Sequence, residues 1–347
     1  MIRRRYFFLL SGVYETLPRA ELKAVLETLD PGYRLIEESS RIVVAETLEH
    51  VAREIVYRTA YTKLAGEFLL KCETDENVIL RSVKCIDPKE LVSSEIKSIA
   101  VRGIRLNGVK LRKLELEASI GEHILNMLPR LRVDLERPDL TIIFVSQPKL
   151  TVIGKLLEAK PKHFFDERLA GKRPFSLPST MQPDFSRAMV NLARTVIGGR
   201  ILDPFAGAGG IMIEALLLGY EVYGVELKDW IALGGLENLK RYARGREFMI
   251  VGDARKPMFR EGLFDAIVTD PPYGRSTTIP DRSIKNLLTE FFEVAVELLT
   301  DHGRIVLAVP SELDLSELVA GTGLKVGESH LARVHKSLTR KVVVLGN

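Results

Sequence analysis

Sulfur and glutamine are scarce in this chain, and long apolar runs are missing. Its 347 residues hold two cysteines, Cys72 and Cys85, and one tryptophan. The cysteines form no CxxC pair and have no histidine at ligand spacing, so zinc is not expected to organise the fold and no metal is called for. Two partly buried thiols are the expectation, with a bridge between them as the alternative. Glutamine occurs only at Gln147 and Gln182 against many Arg, Lys and Glu. That balance leans towards a thermophilic source, where intracellular disulfides are less exceptional. No window approaches a membrane span, and the mean hydropathy is +0.06. Residues 1–10 begin like a signal peptide, but the apolar stretch is short and residues 11–15 supply no small-residue cleavage site. A first strand, a cytoplasmic location and no membrane contact are therefore expected.

What is present is ordinary for a folded protein: 46% hydrophobic and 28% charged residues, with length enough for two or three domains. The net charge of +4 is unevenly spread. Residues 101–200 carry 18 Lys and Arg against 10 Asp and Glu, leaving the rest of the chain net negative. A basic middle of this kind reads as a footprint for a polyanion, with solvated helix faces as the plain alternative.

Residues 1–60 read as a small α+β unit: strands at 3–11, 33–38 and 41–46, a helix at 18–29 stopped by Pro31 and Gly32, and a helix at 47–56. A second α+β unit spans 61–154. It is expected to hold a helix capped around Asp75, a helix over 88–101, a strand at 111–116, a helix at 121–128, and two strands about a turn at Pro138 and Asp139. Arg102, Arg105, Arg112 and Lys113 cluster on its connections without a stacking-aromatic motif, so phosphate and shape contacts are expected there. Residues 155–174, punctuated by Pro and Gly, read as a linker, and its Lys162 and Arg173 are further candidates for gripping nucleic acid.

From residue 175, strands near 200, 221, 247, 264 and 303 alternate with helical stretches, the pattern of a doubly wound α/β sheet. The end departs from it. Strands at 325–334 and 339–345 are separated by four residues, too few for a parallel crossover, so the last strand is expected to run antiparallel.

Four successive strands of this sheet end on an acidic residue: Asp203, Glu226, Asp253 and Asp270. Gly207 and Gly209 follow the first and allow a ligand close to the backbone, but a dinucleotide fingerprint fails because its third glycine falls on Met212. Glu226 stands where a carboxylate takes the hydroxyls of a ribose, and Asp253 with Ala254 where an adenine edge is held. Asp270, Pro271, Pro272, Tyr273 and Gly274 form a stiff lip with one carboxylate and one flat ring, a grip for a planar amine.

These residues resemble a known family. Residues 175–347 look like a class I S-adenosylmethionine-dependent methyltransferase, and Asp-Pro-Pro-Tyr is the signature of those that methylate a planar amine. The fuller text resembles the archaeal tRNA guanine-N2 methyltransferases acting on guanosine 10: Arg173-Pro174-Phe175, Pro178-Ser179-Thr180-Met181, Asp203-Pro204-Phe205, and the tail from Arg333 to Arg340. Leu177 is a departure, standing where His is expected. The resemblance implies a seven-stranded mixed sheet with an antiparallel last strand, preceded by a ferredoxin-like unit and a THUMP domain. It implies S-adenosylmethionine as cofactor and tRNA as partner, with the enzyme acting as a monomer. By it, Asp270, Pro271 and Tyr273 hold and activate the base with Pro272 beside them. Asp203, Gly207 and Gly209 face the methionine part of the cofactor, and Thr180 closes over its carboxylate. Whether one methyl or two are added stays open, as do an adenine N6 or another guanine N2 as target. A non-catalytic tRNA-binding protein is the rival from a different class.

Overall fold

The structure, a computed structural model, describes residues 2–91, 95–242, 245–256, 258–272, 283–335 and 338–346. In chain order its elements begin β1 (Arg4–Leu10), α1 (Leu17–Leu29), β2 (Arg34–Glu38), β3 (Ile42–Thr47), α2 (Glu49–Arg58), β4 (Thr62–Cys72), α3 (Glu76–Val83) and α4 (Pro88–Leu91). They continue with β5 (Ser98–Arg105), α5 (Lys113–Met127), β6 (Arg132–Val133), β7 (Leu140–Gln147), β8 (Leu150–Ala159), α6 (Pro183–Leu192), β9 (Arg200–Asp203), α7 (Gly210–Leu217) and β10 (Glu221–Glu226). The rest are α8 (Asp229–Tyr242), β11 (Glu247–Val251), β12 (Phe264–Thr269), α9 (Ile284–Leu298), β13 (Leu299–Pro310), β14 (Lys325–His335) and β15 (Leu338–Gly346).

Contacts divide the chain into two units. One holds Met1–Ser11, Gly32–Tyr57 and Thr62–Lys160; the other holds Gly12–Pro31, Arg58–Tyr61 and Pro161–Asn347. The sequence suggests a boundary at residue 60. In the structure β1, from before it, is hydrogen-bonded to β4, from after it, within one sheet. Residues 155–159, read as the start of a linker, continue β8.

The first unit is built on an eight-stranded sheet in the order β2-β3-β1-β4-β8-β7-β5-β6. Asp75 caps α3 as expected, its Oδ1 accepting from the amides of Asn77 and Val78 at 2.9 and 3.0 Å. Two expectations fail. The helix expected over 88–101 does not reach its end: α4 covers Pro88–Leu91, residues 92–94 lie outside the described residues, and Ser98 opens β5, whose Ile99 and Val101 are buried beside β7. Residues 111–116 alternate like a strand, yet α5 begins at Lys113, because Leu116, Ile120 and Ile124 recur four apart and all enter the core.

The second unit carries the expected seven-stranded mixed sheet, in the order β11-β10-β9-β12-β13-β15-β14. β15 runs antiparallel to both β13 and β14. The central strands are apolar on both faces, as strands covered by helices must be. Ile201, Ala266, Val268, Val306 and Ala308 pack with α1, α6 and α7, while Leu202, Ile267, Ile305, Leu307 and Val309 pack with α9. Phe291 and Phe292 of α9 are fully buried, each worth about 1.5–3 kcal/mol of transfer. On α1, the buried Glu21 accepts from the amides of Ala60 and Tyr61 at 2.6 and 3.0 Å and from Asn191 Nδ2 at 2.8 Å. A carboxylate so placed is tolerated because its oxygens are satisfied. Cys72 and Cys85 are free thiols. Among the described residues no helix is long and apolar enough to cross a membrane.

Candidate active site

The strand order of the second unit reverses between β9 and β12, and at such a switch point the carboxyl ends of the strands leave a crevice for a ligand. β9 ends on Asp203 and β12 on Thr269, with Asp270 next. Thr269 Oγ1 donates to Asp203 Oδ1 at 2.7 Å, and the Phe205 amide donates to the same oxygen at 3.2 Å. Asp203 is 2% exposed. Burial pushes its carboxyl from 3.8 up to about 7; the two hydrogen bonds oppose the rise, and the charges of Asp270 and Glu226 add to it. The residue that the resemblance assigns to the cofactor's methionine part is thus also a bracket across the switch point.

The loop after β9 is shaped by glycine. Gly207 and Gly209 adopt φ of 51° and 75°, the left-handed region that glycine enters without a Cβ penalty. A Cβ on Gly207 would meet nothing nearer than 4.0 Å, so the space before the loop is open. Behind it, α8 approaches so closely that a Cβ on Gly235 would lie 2.8 Å from the Gly207 carbonyl oxygen. Glu226, at the end of β10, holds the loop: its Oε2 accepts from the Gly207 amide and its Oε1 from the Lys228 amide, both at 3.0 Å. An open glycine cradle tied to a strand-end carboxylate fits a ligand that carries a ribose.

Asp253 is engaged by a neighbour that the sequence did not single out. Arg255 donates to it through Nε at 3.0 Å and Nη2 at 2.8 Å, which holds the carboxyl below its usual range, and Arg255 also reaches Glu290 at 3.2 Å. Ala254 beside it is buried. Thr180 Oγ1 accepts from the Leu177 amide at 2.9 Å, closing a turn over residues 177–180.

Asp270 is 18% exposed, and its Oδ2 lies 3.1 Å from Nη1 of Arg340, a β15 residue that is 12% exposed. Pro271 is buried and Pro272 half-buried. Tyr273 lies outside the described residues. Arg340 belongs to the tail from Arg333 to Arg340, but nothing in its spacing ties it to Asp270; the pairing exists because β15 inserts beside β13.

The basic residues separate. Arg102, Arg105, Arg112 and Lys162 are exposed and Lys113 is half-buried. Arg112 is paired with Glu76 and Glu115, at 2.7 and 2.6 Å, and Lys113 with Glu117 at 3.7 Å. Arg173 is the correction. It is 6% exposed, its Nε donates to the Arg168 carbonyl at 2.8 Å, and its guanidinium packs against Gly210 at the start of α7. Burial lowers its proton affinity while Glu214 opposes that effect. A side chain enclosed in this way anchors the 168–173 segment on α7 and does not grip a nucleic-acid backbone. Beside it, Glu214 at 0% exposure is held by Arg168 Nε at 2.8 Å and Arg187 Nη2 at 2.6 Å, a buried network with no signature in the sequence.

Residues 170–342 match the RMKL-like methyltransferase domain family and residues 73–149 match the THUMP domain family. The chain is 35% identical to the tRNA (guanine(10)-N2)-dimethyltransferase of Pyrococcus abyssi, covering 98% of this chain and 99% of that protein. It is 35% identical to the protein of the same name from Methanothermobacter thermautotrophicus, over 97% of this chain and 98% of that one. Among solved structures, TrmN from Thermus thermophilus shares the fold with a TM-score of 0.55 at 20% identity, covering 99% of this chain and 100% of that one.

Proposed function

The chain belongs to the family of tRNA (guanine(10)-N2)-dimethyltransferases, and from that premise we propose that it transfers methyl groups from S-adenosylmethionine to the exocyclic N2 of guanosine 10 in tRNA, in two rounds. The observation that carries the reading is the meeting, at one switch point, of the Asp270-Pro271 lip with the glycine cradle that Glu226 ties down.

When bound, the cofactor supplies an electrophilic methyl group on a sulfonium. Gly207 and Gly209 leave room for its methionine part, Glu226 takes the ribose hydroxyls, and the segment at Asp253 and Ala254 flanks the adenine. The chain's harder task is the acceptor. The N2 lone pair is delocalised into the guanine ring and is a weak nucleophile. Asp270 and the Pro271 carbonyl accept hydrogen bonds from the amine, which localises that lone pair towards the methyl group. Holding the two reactants in line contributes through orientation. Tyr273, next to Pro272 in the chain, is assigned the stacking of the base, worth roughly 1–3 kcal/mol. N2 becomes acidic only as it gains the methyl group, so Asp270 is required as a hydrogen-bond acceptor before the transfer, and the N2 proton is lost after it. A guanine in a paired stem must leave its stack to reach the lip. The THUMP-containing unit, with Arg102 and Arg105 exposed on β5, selects which nucleotide arrives. The enzyme works in the cytoplasm as a monomer on one tRNA.

The test is incubation with S-adenosylmethionine and an unmodified tRNA transcript, followed by nucleoside mass spectrometry. N2,N2-dimethylguanosine supports the reading; a methylated adenosine, or no methylated nucleoside, overturns it.

A further inference from the structure

Within the second unit, one charged contact at the lip belongs to neither ligand. Arg340 reaches Asp270 from two strands away. It lies in register with Pro310 of β13, and β13 in turn pairs with β12, the strand that delivers Asp270. The 3.1 Å contact joins Nη1 to Oδ2, with both side chains mostly enclosed. The antiparallel hairpin β14–β15 therefore supplies a cation to the reaction centre from about 70 residues further along the chain.

We propose that Arg340 is a positioning residue for methyl transfer. By taking Oδ2, its guanidinium fixes the rotation of the Asp270 carboxylate, and so fixes the direction from which the base's amine must present its N–H. The inference rests on the function proposed above. The Asp270 side chain turns about two torsions: the first is confined to staggered wells, the terminal one at the carboxylate plane is soft, and the stiffness of Pro271 and Pro272 controls the backbone alone. A planar guanidinium with a fixed fork of donors sets the remaining torsion, where the flexible ammonium of lysine supplies charge without that directionality. A merely structural ion pair at the same place would serve stability and leave the chemical step alone.

The experiment compares the full-length wild type with Arg340→Lys and Arg340→Met in three measurements: S-adenosylmethionine affinity by calorimetry, tRNA KM, and single-turnover methyl transfer. If Arg340 positions Asp270, cofactor affinity and tRNA KM stay within about threefold of wild type. The transfer rate falls on the order of 100-fold in Arg340→Met, the scale of a misplaced reacting group, and Arg340→Lys recovers only part of it. An unchanged transfer rate in a variant that binds cofactor normally overturns the inference. So does a parallel loss of cofactor affinity and rate in both variants, which marks a structural pair. A wild type that binds tRNA but transfers no methyl group refutes the proposed function itself and is distinguishable from either result.

Discussion

Asp203 makes the structure's electrostatics measurable. Its carboxyl titrates near 7 in the folded protein against 3.8 in an unfolded chain, because burial disfavours the charged form. In the window between those values the native state holds a proton that the unfolded state has lost, so stability from this group falls as pH rises. The contribution is complete below about pH 3.8 and is gone above about pH 7. A rise from 3.8 to about 7 corresponds to about 4 kcal/mol, an upper figure because the enclosing structure can relax. Asp203→Asn removes the titration and keeps the shape. The amide oxygen can still accept from Thr269 Oγ1 and the Phe205 amide, both of which bond the same oxygen in the wild type. Urea unfolding of both proteins at a series of pH values cancels the groups that do not interact with Asp203, leaving its own titration and its coupling to Asp270 and Glu226 in the difference. The variant is expected to match the wild type near pH 4, to gain on it as pH rises, and to lead by a constant margin of about 4 kcal/mol above pH 7. A difference that is the same at pH 4 and pH 8 would refute the reasoning, because it would mean that Asp203 is not held protonated by its surroundings.

Glu214→Gln leaves the Arg168 and Arg187 guanidinium groups buried against a neutral amide, and a loss of about 3–5 kcal/mol is expected in urea unfolding. A loss under about 1 kcal/mol would show that solvent already compensates the two arginines. Gly235→Ala forces a Cβ to within 2.8 Å of the Gly207 carbonyl oxygen, so the cradle must shift. S-adenosylmethionine affinity should drop about tenfold by calorimetry, the weight of roughly 1.4 kcal/mol, and unchanged affinity would mean that the loop yields freely. Arg102→Gln and Arg105→Gln should each lower the salt slope of tRNA binding by about one, while the buried Arg173→Gln leaves the slope intact. Equal slopes for all three variants would place the tRNA elsewhere.

Strand periodicity and strand-end chemistry made the second unit's sheet legible. Ile201 to Asp203 and the run from Phe264 to Thr269 are short apolar stretches that stop on polar residues, and each stop proved to be the carboxyl end of a strand at the switch point. The antiparallel tail followed from the length of one connection. The alternation at 111–116 misled because it is too short to outweigh the four-residue recurrence of Leu116, Ile120 and Ile124. The basic residues were visible by type but not by burial. Arg173 and Arg102 look alike in a sequence, and only packing against Gly210 separates a buried anchor from a surface cation. Thr269 and Arg340 shape the strand-end carboxylates through contacts made by the strand order, which no spacing in the sequence encodes, whereas Arg255 folds back onto Asp253 two residues before it.

On the proposed function, the Asp270 lip performs the chemistry and guanosine 10 is where it acts. The most direct measurement is fragment mass mapping of one unmodified tRNA after reaction with the wild type and with Asp270→Ala. Two methyl groups on nucleotide 10 with the wild type, and none with a variant that still binds tRNA within a few fold, is the predicted result. Methyl groups at another nucleotide, or turnover by Asp270→Ala, would contradict it.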